Sequence, residues 1–302
     1  MSKSFKIKVI TPSYVPESDK GVLASLDKMM NCGFKIDYSP RTISKKYNPF
    51  WGSIADRAEE VIGAMLGDYD AIWAVRGGYG SVQLMEYLDS AYHLLKDAKP
   101  KYLLGFSDIT YLHYFIHKNL GWQSIHCDNF KSITEQDQSD IDAITEFLLH
   151  TRDEFVLKNL ELLNGVEVNV SNSKVLGGNL CMMQNTISTS YHIDSKGCTL
   201  FVEDFDEPWY RIDRMIYHLY NSGYIKNADA VVFGRLTDNK LEEPRVYQVI
   251  KKFAKLLESY NVPVFFSNEF GHKGQNKPIL IGGGASIESD DRSYTLVMRR
   301  KS

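Results

Sequence analysis

The strongest constraint on the fold lies in the first half of the chain, where short apolar runs alternate with stretches of helical pattern. Apolar runs occupy residues 5–10, 71–75 and 102–104, and helical patterns occupy 22–31, 56–65, 82–88 and 109–118. This alternation is typical of parallel βαβ units, so it predicts an α/β fold with an open parallel sheet. In such sheets, ligands bind in the loops at the carboxyl ends of the strands.

The chain of 302 residues is long enough for two modest domains, and its pattern changes near the middle. We interpret residues 1–150 as a first domain, the more polar stretch 151–172 as a connector, and residues 173–302 as a second domain. The second domain mixes strand-like runs at 199–202, 230–233, 262–266 and 294–298 with helical patterns at 210–220 and 245–260.

Composition excludes several classes of partner. The formal net charge is −3, and the terminal Arg299-Arg300-Lys301 is the longest basic run, so neither nucleic acid nor an anionic membrane is predicted as a partner. No apolar stretch reaches the ~18 residues that span a bilayer, and the N-terminus alternates apolar residues with Lys. The four cysteines form no Cys-x-x-Cys pair. We therefore expect a cytoplasmic protein that acts on a small molecule or a peptide.

Ser107 is the first candidate for a catalytic residue. The stretch 101–110 runs from an apolar strand through Gly105 into a helical pattern, which places Ser107 on a strand-to-helix turn. Such a turn exposes a hydroxyl beside the free N–H groups of a helix start, as a serine nucleophile requires. Taken alone, the segment is more typical of an ordinary N-cap, and Ile109 stands where the hydrolase elbow has its second glycine.

A glycine-rich loop follows the apolar run 71–75 and has the sequence Arg76-Gly77-Gly78-Tyr79-Gly80. Glycines allow the backbone to approach a ligand closely and to direct N–H groups at it. The residues fit neither the G-x-G-x-x-G nor the G-x-x-x-x-G-K-[ST] pattern, which argues against a dinucleotide or nucleotide site. An oxyanion hole, a contact to a substrate carboxylate, a phosphate cradle and a plain tight turn all remain open.

Two further candidates lie in the second half. Glu203 directly follows the apolar run 199–202, where a carboxylate can be held rigidly against a histidine, and His272 lies in a loop between Gly271 and Gly274. Each has a simpler interpretation as part of a solvated loop.

Other residues compete for these roles. His113 and His117 have a spacing that suits a metal, but Tyr114 stands where the H-E-x-x-H pattern has its glutamate. Cys127 is a possible thiol nucleophile, although free cysteine is more often a buried apolar residue.

Together these segments resemble the L,D-carboxypeptidase family of serine peptidases, which includes muramoyl-tetrapeptide carboxypeptidases and microcin C self-immunity peptidases. The resemblance covers nearly the whole chain and rests on several motifs in a fixed order: Ile10-Thr11-Pro12-Ser13, the stretch 70–80, Gly105-Phe106-Ser107-Asp108-Ile109-Thr110, Leu176-Gly177-Gly178-Asn179-Leu180, the stretch 200–204, Tyr210-Arg211-Ile212-Asp213-Arg214-Met215 and Gly271-His272.

The resemblance implies a Rossmann-like N-terminal domain that carries Ser107 as nucleophile, and a C-terminal swivelling β/β/α domain that carries Glu203 and His272. His272 is then the general base, Glu203 orients it, and the triad forms where the domains meet. Backbone N–H groups of Gly78 and Asp108 would bind the oxyanion. No metal or cofactor is implied, and the chain is expected to form a homodimer.

The implied reaction is hydrolysis of the amide between an L-centre and a C-terminal D-residue, with D-alanine released from muropeptide tetrapeptides during peptidoglycan recycling. Arg76, with Gly77 beside it, is the predicted contact for a substrate carboxylate, and Arg76 favours the muropeptide enzymes over the microcin type. A microcin C-type peptidase and a non-catalytic ligand-binding module of the same fold are the alternatives.

The chain departs from the family pattern at two places. His126-Cys127-Asp128 stands where family members often have His-Gly-Pro, and Lys273 replaces a more usual glycine after His272. Both departures bear on substrate preference more than on the triad.

Overall fold

The chain forms two compact units, Met1–Arg152 and Asp153–Ser302. The structure, a computed structural model, describes residues 4–43, 49–237, 240, 243–289 and 293–301. No helix in these ranges combines the length and the apolar character needed to cross a lipid bilayer.

The first unit alternates strands with helices, as the sequence predicts. Its elements are β1 (Lys6–Ile10), α1 (Lys20–Asn31), β2 (Lys35–Asp37), α2 (Ile54–Leu66), β3 (Ala71–Ala74), α3 (Met85–Ser90), α4 (Tyr92–Leu95), β4 (Tyr102–Gly105), α5 (Thr110–Phe115), β5 (Ser124–His126) and α6 (Gln138–Leu148). The strands pair in parallel in the order β5-β4-β3-β1-β2. The predicted α/β fold with a parallel sheet is therefore confirmed.

Burial and capping explain why these segments form as they do. All four residues of β3 are buried, which suits a central strand covered on both faces. Helix α2 begins with a capping box, in which the Ser53 side chain accepts from the Asp56 N–H and Asp56 accepts from the Ser53 N–H. Its apolar side, including Val61 and Met65, is buried. Because β1, β3 and β4 are parallel neighbours, the loops that follow them emerge at one edge of the sheet.

The second unit is built around a barrel. Its elements are β6 (Glu154–Leu162), β7 (Val170–Asn179), α7 (Leu180–Thr186), β8 (Cys198–Glu203), α8 (Trp209–Asn221), β9 (Ala230–Phe233), α9 (Glu243–Leu257), β10 (Val264–Phe266), β11 (Ile279–Ile281), β12 (Gly284–Ser289) and β13 (Tyr294–Arg299). Among the described residues, the strands close in the order β10-β6-β13-β12-β7-β8-β9. Parallel pairing of β9 with β10 completes the ring.

The stretch 151–172 differs from its sequence interpretation as a connector. It contains β6, which pairs with β10 and β13 in the barrel, and the first residues of β7. Phe155, Leu157 and Leu160 are buried, but the alternation of buried and exposed residues shifts between Leu157 and Leu160. At this point Asn159 has φ 54°, and the pairing of β6 with β13 changes register. This bulge interrupts the alternation by which a strand is recognised in sequence.

Candidate active site

Ser107 occupies a strained turn between β4 and α5. Its φ is 65°, in the left-handed region, where a residue other than glycine loses roughly 1–2 kcal/mol. The turn Ser107–Ile109 leads into α5, and neither helical segment has a side-chain cap. Ser107 is therefore not an N-cap. Its half-buried hydroxyl stands on the sharp strand-to-helix turn that a serine nucleophile uses.

The glycine-rich loop after β3 lies against this serine. A Cβ atom added to Gly77 would lie 3.0 Å from the Ser107 Cβ atom and 3.3 Å from its Oγ. Gly78 has φ 111°, and a Cβ atom there would lie 2.7 Å from the Tyr14 ring. Gly78 thus requires glycine for close approach and for backbone conformation, and a side chain at Gly77 would force the Ser107 turn to shift.

Two polar side chains that the sequence interpretation did not select hold the end of β4. His113 forms hydrogen bonds of 2.8 Å to the Gly105 carbonyl through Nε2 and to the Ser124 hydroxyl through Nδ1. Burial lowers the pKa of His113 to about 3, so the ring is neutral and donates to the carbonyl from Nε2. The Asn129 side-chain oxygen accepts from the Phe106 N–H at 3.3 Å. Asn129 directly follows the His126-Cys127-Asp128 segment that departs from the family pattern.

Arg76 already binds a carboxylate within its own unit. Its Nη1 atom lies 2.8 Å from a Glu17 carboxylate oxygen and 2.9 Å from the Val15 carbonyl oxygen. The Arg76 side chain is 24% exposed, whereas that of Glu17 is 71% exposed. The guanidinium is therefore oriented by the backbone and paired with an exposed acid.

Glu203 and His272 form a close pair in the second unit. Glu203 is the last residue of β8 and is fully buried, and its Oε2 lies 2.6 Å from Nδ1 of His272. The Phe205 ring stacks on the imidazole, with ring centroids 5.0 Å apart and planes inclined by 24°. The carboxylate fixes the edge of the ring and Phe205 covers one face. This arrangement suits a histidine that accepts a proton at Nε2.

Arg235 holds the loop that carries His272. Its guanidinium donates to the carbonyl oxygens of Asn268 and Gln275, each at 2.5 Å. Gly271 has φ 140°, and a Cβ atom there would lie 2.9 Å from the Arg235 Cβ atom. The sequence analysis did not select Arg235. Its position two residues after the buried strand β9 could have identified it, because residues that follow the carboxyl end of a strand often lie at ligand sites.

Asp204 lies next to Glu203 but faces a different set of partners. It accepts hydrogen bonds from the Asn179 side chain at 2.9 Å, the Cys181 N–H at 3.0 Å and the Phe205 N–H at 2.8 Å. Burial, together with the Glu203 charge, raises the pKa of Asp204 to about 7. This acid ties the loop after β8 to the start of α7.

The competing candidates have other environments. Cys127 is fully buried, and burial raises the pKa of its thiol well above the ordinary value, which disfavours the nucleophilic thiolate. Both ring nitrogens of His113 are engaged inside the fold, as described above. Across the described parts of the chain, no group of three or more His, Cys, Asp and Glu side chains is arranged to hold a metal ion.

Comparisons with known proteins assign the whole chain to one family. Residues 7–127 match the LD-carboxypeptidase N-terminal domain, and residues 172–287 match the LD-carboxypeptidase C-terminal domain. A putative carboxypeptidase from Rickettsia conorii is 33% identical over 302 residues, which cover 98% of this chain and 91% of that protein. The murein tetrapeptide carboxypeptidase of Pseudomonas aeruginosa is 27% identical, with 84% of this chain and 85% of that protein covered.

Solved structures share the fold. The muramoyltetrapeptide carboxypeptidase from Oxalobacter formigenes superimposes with a TM-score of 0.83 at 23% identity, covering 98% of this chain and 99% of that one. The microcin C7 self immunity protein in complex with aspartyl sulfamoyl adenosine gives a TM-score of 0.81 at 17% identity, covering 100% and 97% of the two chains. With both domain matches and a relative above 30% identity, the chain belongs to the LD-carboxypeptidase family of serine-type hydrolases.

Proposed function

We propose that this protein releases the C-terminal D-alanine from muramoyl tetrapeptides, with Ser107 as the nucleophile of a Ser107–His272–Glu203 triad. The observation that carries the proposal is the left-handed backbone of Ser107 on the turn between β4 and α5, the position and conformation in which a nucleophilic serine stands beside a helix start. The murein tetrapeptide carboxypeptidase of Pseudomonas aeruginosa supports the substrate class.

The proposed chemistry begins with attack of the Ser107 hydroxyl on the carbonyl of the L-centre. His272 donates its Nδ1–H to Glu203, so its Nε2 lone pair takes the serine proton. A general base of this kind contributes roughly 10²–10⁴ in rate. The imidazolium then protonates the departing amine of D-alanine, and water hydrolyses the acyl-enzyme by the same route.

Backbone N–H groups of Gly78 and Asp108 are the proposed oxyanion donors. Gly77 lies against Ser107, and Asp108 directly follows it, so both donors belong to segments next to the nucleophile. Each donor of this type contributes on the order of 10²–10³ in rate. Arg76 is the proposed partner of a substrate carboxylate, which would take the position that the exposed Glu17 carboxylate now holds.

The proposal places the reaction in peptidoglycan recycling in the cytoplasm. The cysteines Cys32, Cys127, Cys181 and Cys198 are all free thiols, as suits a reducing compartment. The implied homodimer belongs to the same proposal, and light scattering of the purified chain measures it directly.

The test is incubation of the protein with a muramoyl tetrapeptide ending in D-alanine, followed by mass spectrometry. We expect loss of one alanine with the wild type and no loss with Ser107→Ala. Ser90→Ala, which alters an exposed serine on α3, is the matched control and should cleave normally. Wild-type protein that cleaves no L,D-linked peptide would overturn the proposal. Cleavage of a peptidyl sulfamoyl adenosine alone would instead favour a microcin-type activity.

A further inference from the structure

The Asp108 side chain joins the two loops that flank the proposed oxyanion site. Its Oδ2 atom accepts from the Ser13 hydroxyl at 2.5 Å and from the Ser81 N–H at 2.8 Å. The Ser81 hydroxyl in turn donates to the Asp108 carbonyl oxygen. Asp108 is 1% exposed, so these contacts are shielded from water. One carboxylate therefore connects the loop after β1, the glycine-rich loop after β3 and the start of the Ser107 turn.

Arg57 also connects the same two loops. Its Nη1 atom donates to the Pro12 carbonyl oxygen at 2.5 Å and to the Gly80 carbonyl oxygen at 3.2 Å. Arg57 is 1% exposed, and the carbon of its guanidinium lies 4.2 Å from the centroid of the Phe50 ring. Burial raises the pKa of Asp108, and the Ser13 and Ser81 hydrogen bonds together with the Arg57 charge oppose that rise.

These contacts act on both flanks of Gly78. On one side, Ser13 is followed by Tyr14, whose ring is the group that a Cβ atom on Gly78 would meet at 2.7 Å. On the other side, Ser81 ends the glycine-rich loop and begins the short helical turn Ser81–Leu84. Gly77 and Gly78 have no side chains of their own to pack, so polar contacts at the loop ends must set where their N–H groups point.

We propose that the Asp108 side chain is a positioning residue that fixes the separation of the Gly78 and Asp108 N–H groups, and so prepares the oxyanion site. This inference rests on the proposed function. The Asp108 backbone would touch the reacting oxygen, and its carboxylate would act only through the loops it holds. Preorganised donors need no rearrangement when charge develops, which is why their spacing affects the transition state more than the bound substrate.

A purely structural role predicts a different pattern of losses. A residue that only stabilises the fold changes the fraction of folded protein and leaves kcat of the folded enzyme intact. A positioning residue lowers kcat of the folded enzyme and leaves KM nearly unchanged. Thermal unfolding and steady-state kinetics on the same samples therefore separate the two roles.

The first experiment compares Asp108→Ala with Asp108→Asn on the tetrapeptide. We expect kcat to fall about 10²-fold in Asp108→Ala, with KM within about threefold of wild type. The amide oxygen of Asp108→Asn can still accept from Ser13 and Ser81, so this variant should recover most of kcat. Ile144→Ala, a buried change on α6, is the control that loses stability and retains kcat.

The second experiment measures inhibition by a tripeptide aldehyde, whose hydrated or serine-bound carbon mimics the tetrahedral intermediate. We expect its inhibition constant to rise in Asp108→Ala by about the factor by which kcat/KM falls. If Asp108→Ala fails to fold, Ser13→Ala, which removes one donor, carries the test with a loss of roughly tenfold in both quantities.

Unchanged kcat in the folded variants would overturn the inference, and so would a fall in kcat without weaker aldehyde binding. Wild-type protein that does not cleave the tetrapeptide is a separate outcome, because it removes the proposed function on which the inference rests.

Discussion

The two halves of the proposed triad are positioned by different physical means. In the first unit, Ser107 is placed by the backbone, through a left-handed φ of 65° and a glycine in close contact. In the second unit, His272 is placed by side chains, through the 2.6 Å contact to Glu203, the stacked Phe205 ring and the loop that Arg235 holds.

This difference indicates what each half tolerates. A backbone-positioned group is sensitive to added atoms and to changes in local conformational preference, because no side chain compensates for a moved turn. A side-chain-positioned group is sensitive to loss or protonation of its partners, because a buried polar atom left unpaired is costly. The following substitutions test the two sensitivities separately.

The largest effect should come from His272→Ala. Loss of the general base should lower kcat by roughly 10²–10⁴ while the protein stays folded, because the loop is held by Arg235 rather than by the imidazole. Steady-state kinetics on the tetrapeptide measure kcat, and circular dichroism on the same sample shows whether the variant is folded. His93→Ala, an exposed change on α4, should be silent. Normal turnover by His272→Ala would remove the second unit from the proposed triad.

Asp204→Asn should change how stability depends on pH. The pKa of Asp204 is about 7 in the folded protein and about 4 in an unfolded chain, so the folded state binds more protons. The stabilisation that the protonated Asp204 side chain gives to the folded state is complete below about pH 4. It is lost as pH rises to about 7, which lowers the free energy of unfolding by on the order of a few kcal/mol. Urea unfolding from pH 4 to 8 should show the free energy of unfolding of Asp204→Asn rising relative to that of the wild type as pH rises. Parallel curves would contradict the assigned ionisation.

Gly77→Ala should damage the nucleophile without altering the base. The added methyl group would lie 3.0 Å from the Ser107 Cβ atom and 3.2 Å from the Phe106 carbonyl oxygen, so the turn must shift. Because a small displacement of a reacting group is costly, we expect kcat to fall by about 10²-fold. Gly63→Ala is the matched control, since its Cβ atom would meet nothing within 4 Å. Equal kcat values in the two variants would mean that the close approach has no catalytic role.

The smallest effect is the expected difference in stability between two inactive variants, Ser107→Gly and Ser107→Ala. Glycine adopts a φ of 65° without steric cost and alanine does not, so the glycine variant should be the more stable by about 1 kcal/mol. Urea unfolding at one pH measures the difference. A more stable alanine variant would show that the turn is unstrained, and that a strained backbone does not position Ser107.

Much of the fold follows from the sequence because strand and helix periodicity are local signals. The runs around β3 and β4 are short, apolar and bounded by glycine or charge, and they form strands where expected. Strand β6 was missed because its bulge at Asn159 breaks the period, and a strand of this kind is defined by its partners β10 and β13 rather than by its own residues.

The sequence indicated the candidate catalytic residues but not the residues that support them, for a similar reason. Ser107, Glu203 and His272 stand next to apolar runs or glycines, and the pairing of Glu203 with His272 is now visible as a hydrogen bond. The residues that support them, such as His113 and Arg235, act across 8 to 40 positions of sequence on backbone carbonyls. No sequence pattern marks a carbonyl as a partner, so these supports required the structure.

The proposed nucleophile is tested by identifying the residue that becomes acylated. The protein is mixed with tetrapeptide, quenched in acid within one turnover, digested and mapped by mass spectrometry. We expect a peptide-derived acyl group on Ser107, formed as D-alanine is released and absent from Ser107→Ala. An acyl group on another residue such as Cys127, or D-alanine release that persists in Ser107→Ala, would contradict this role of Ser107.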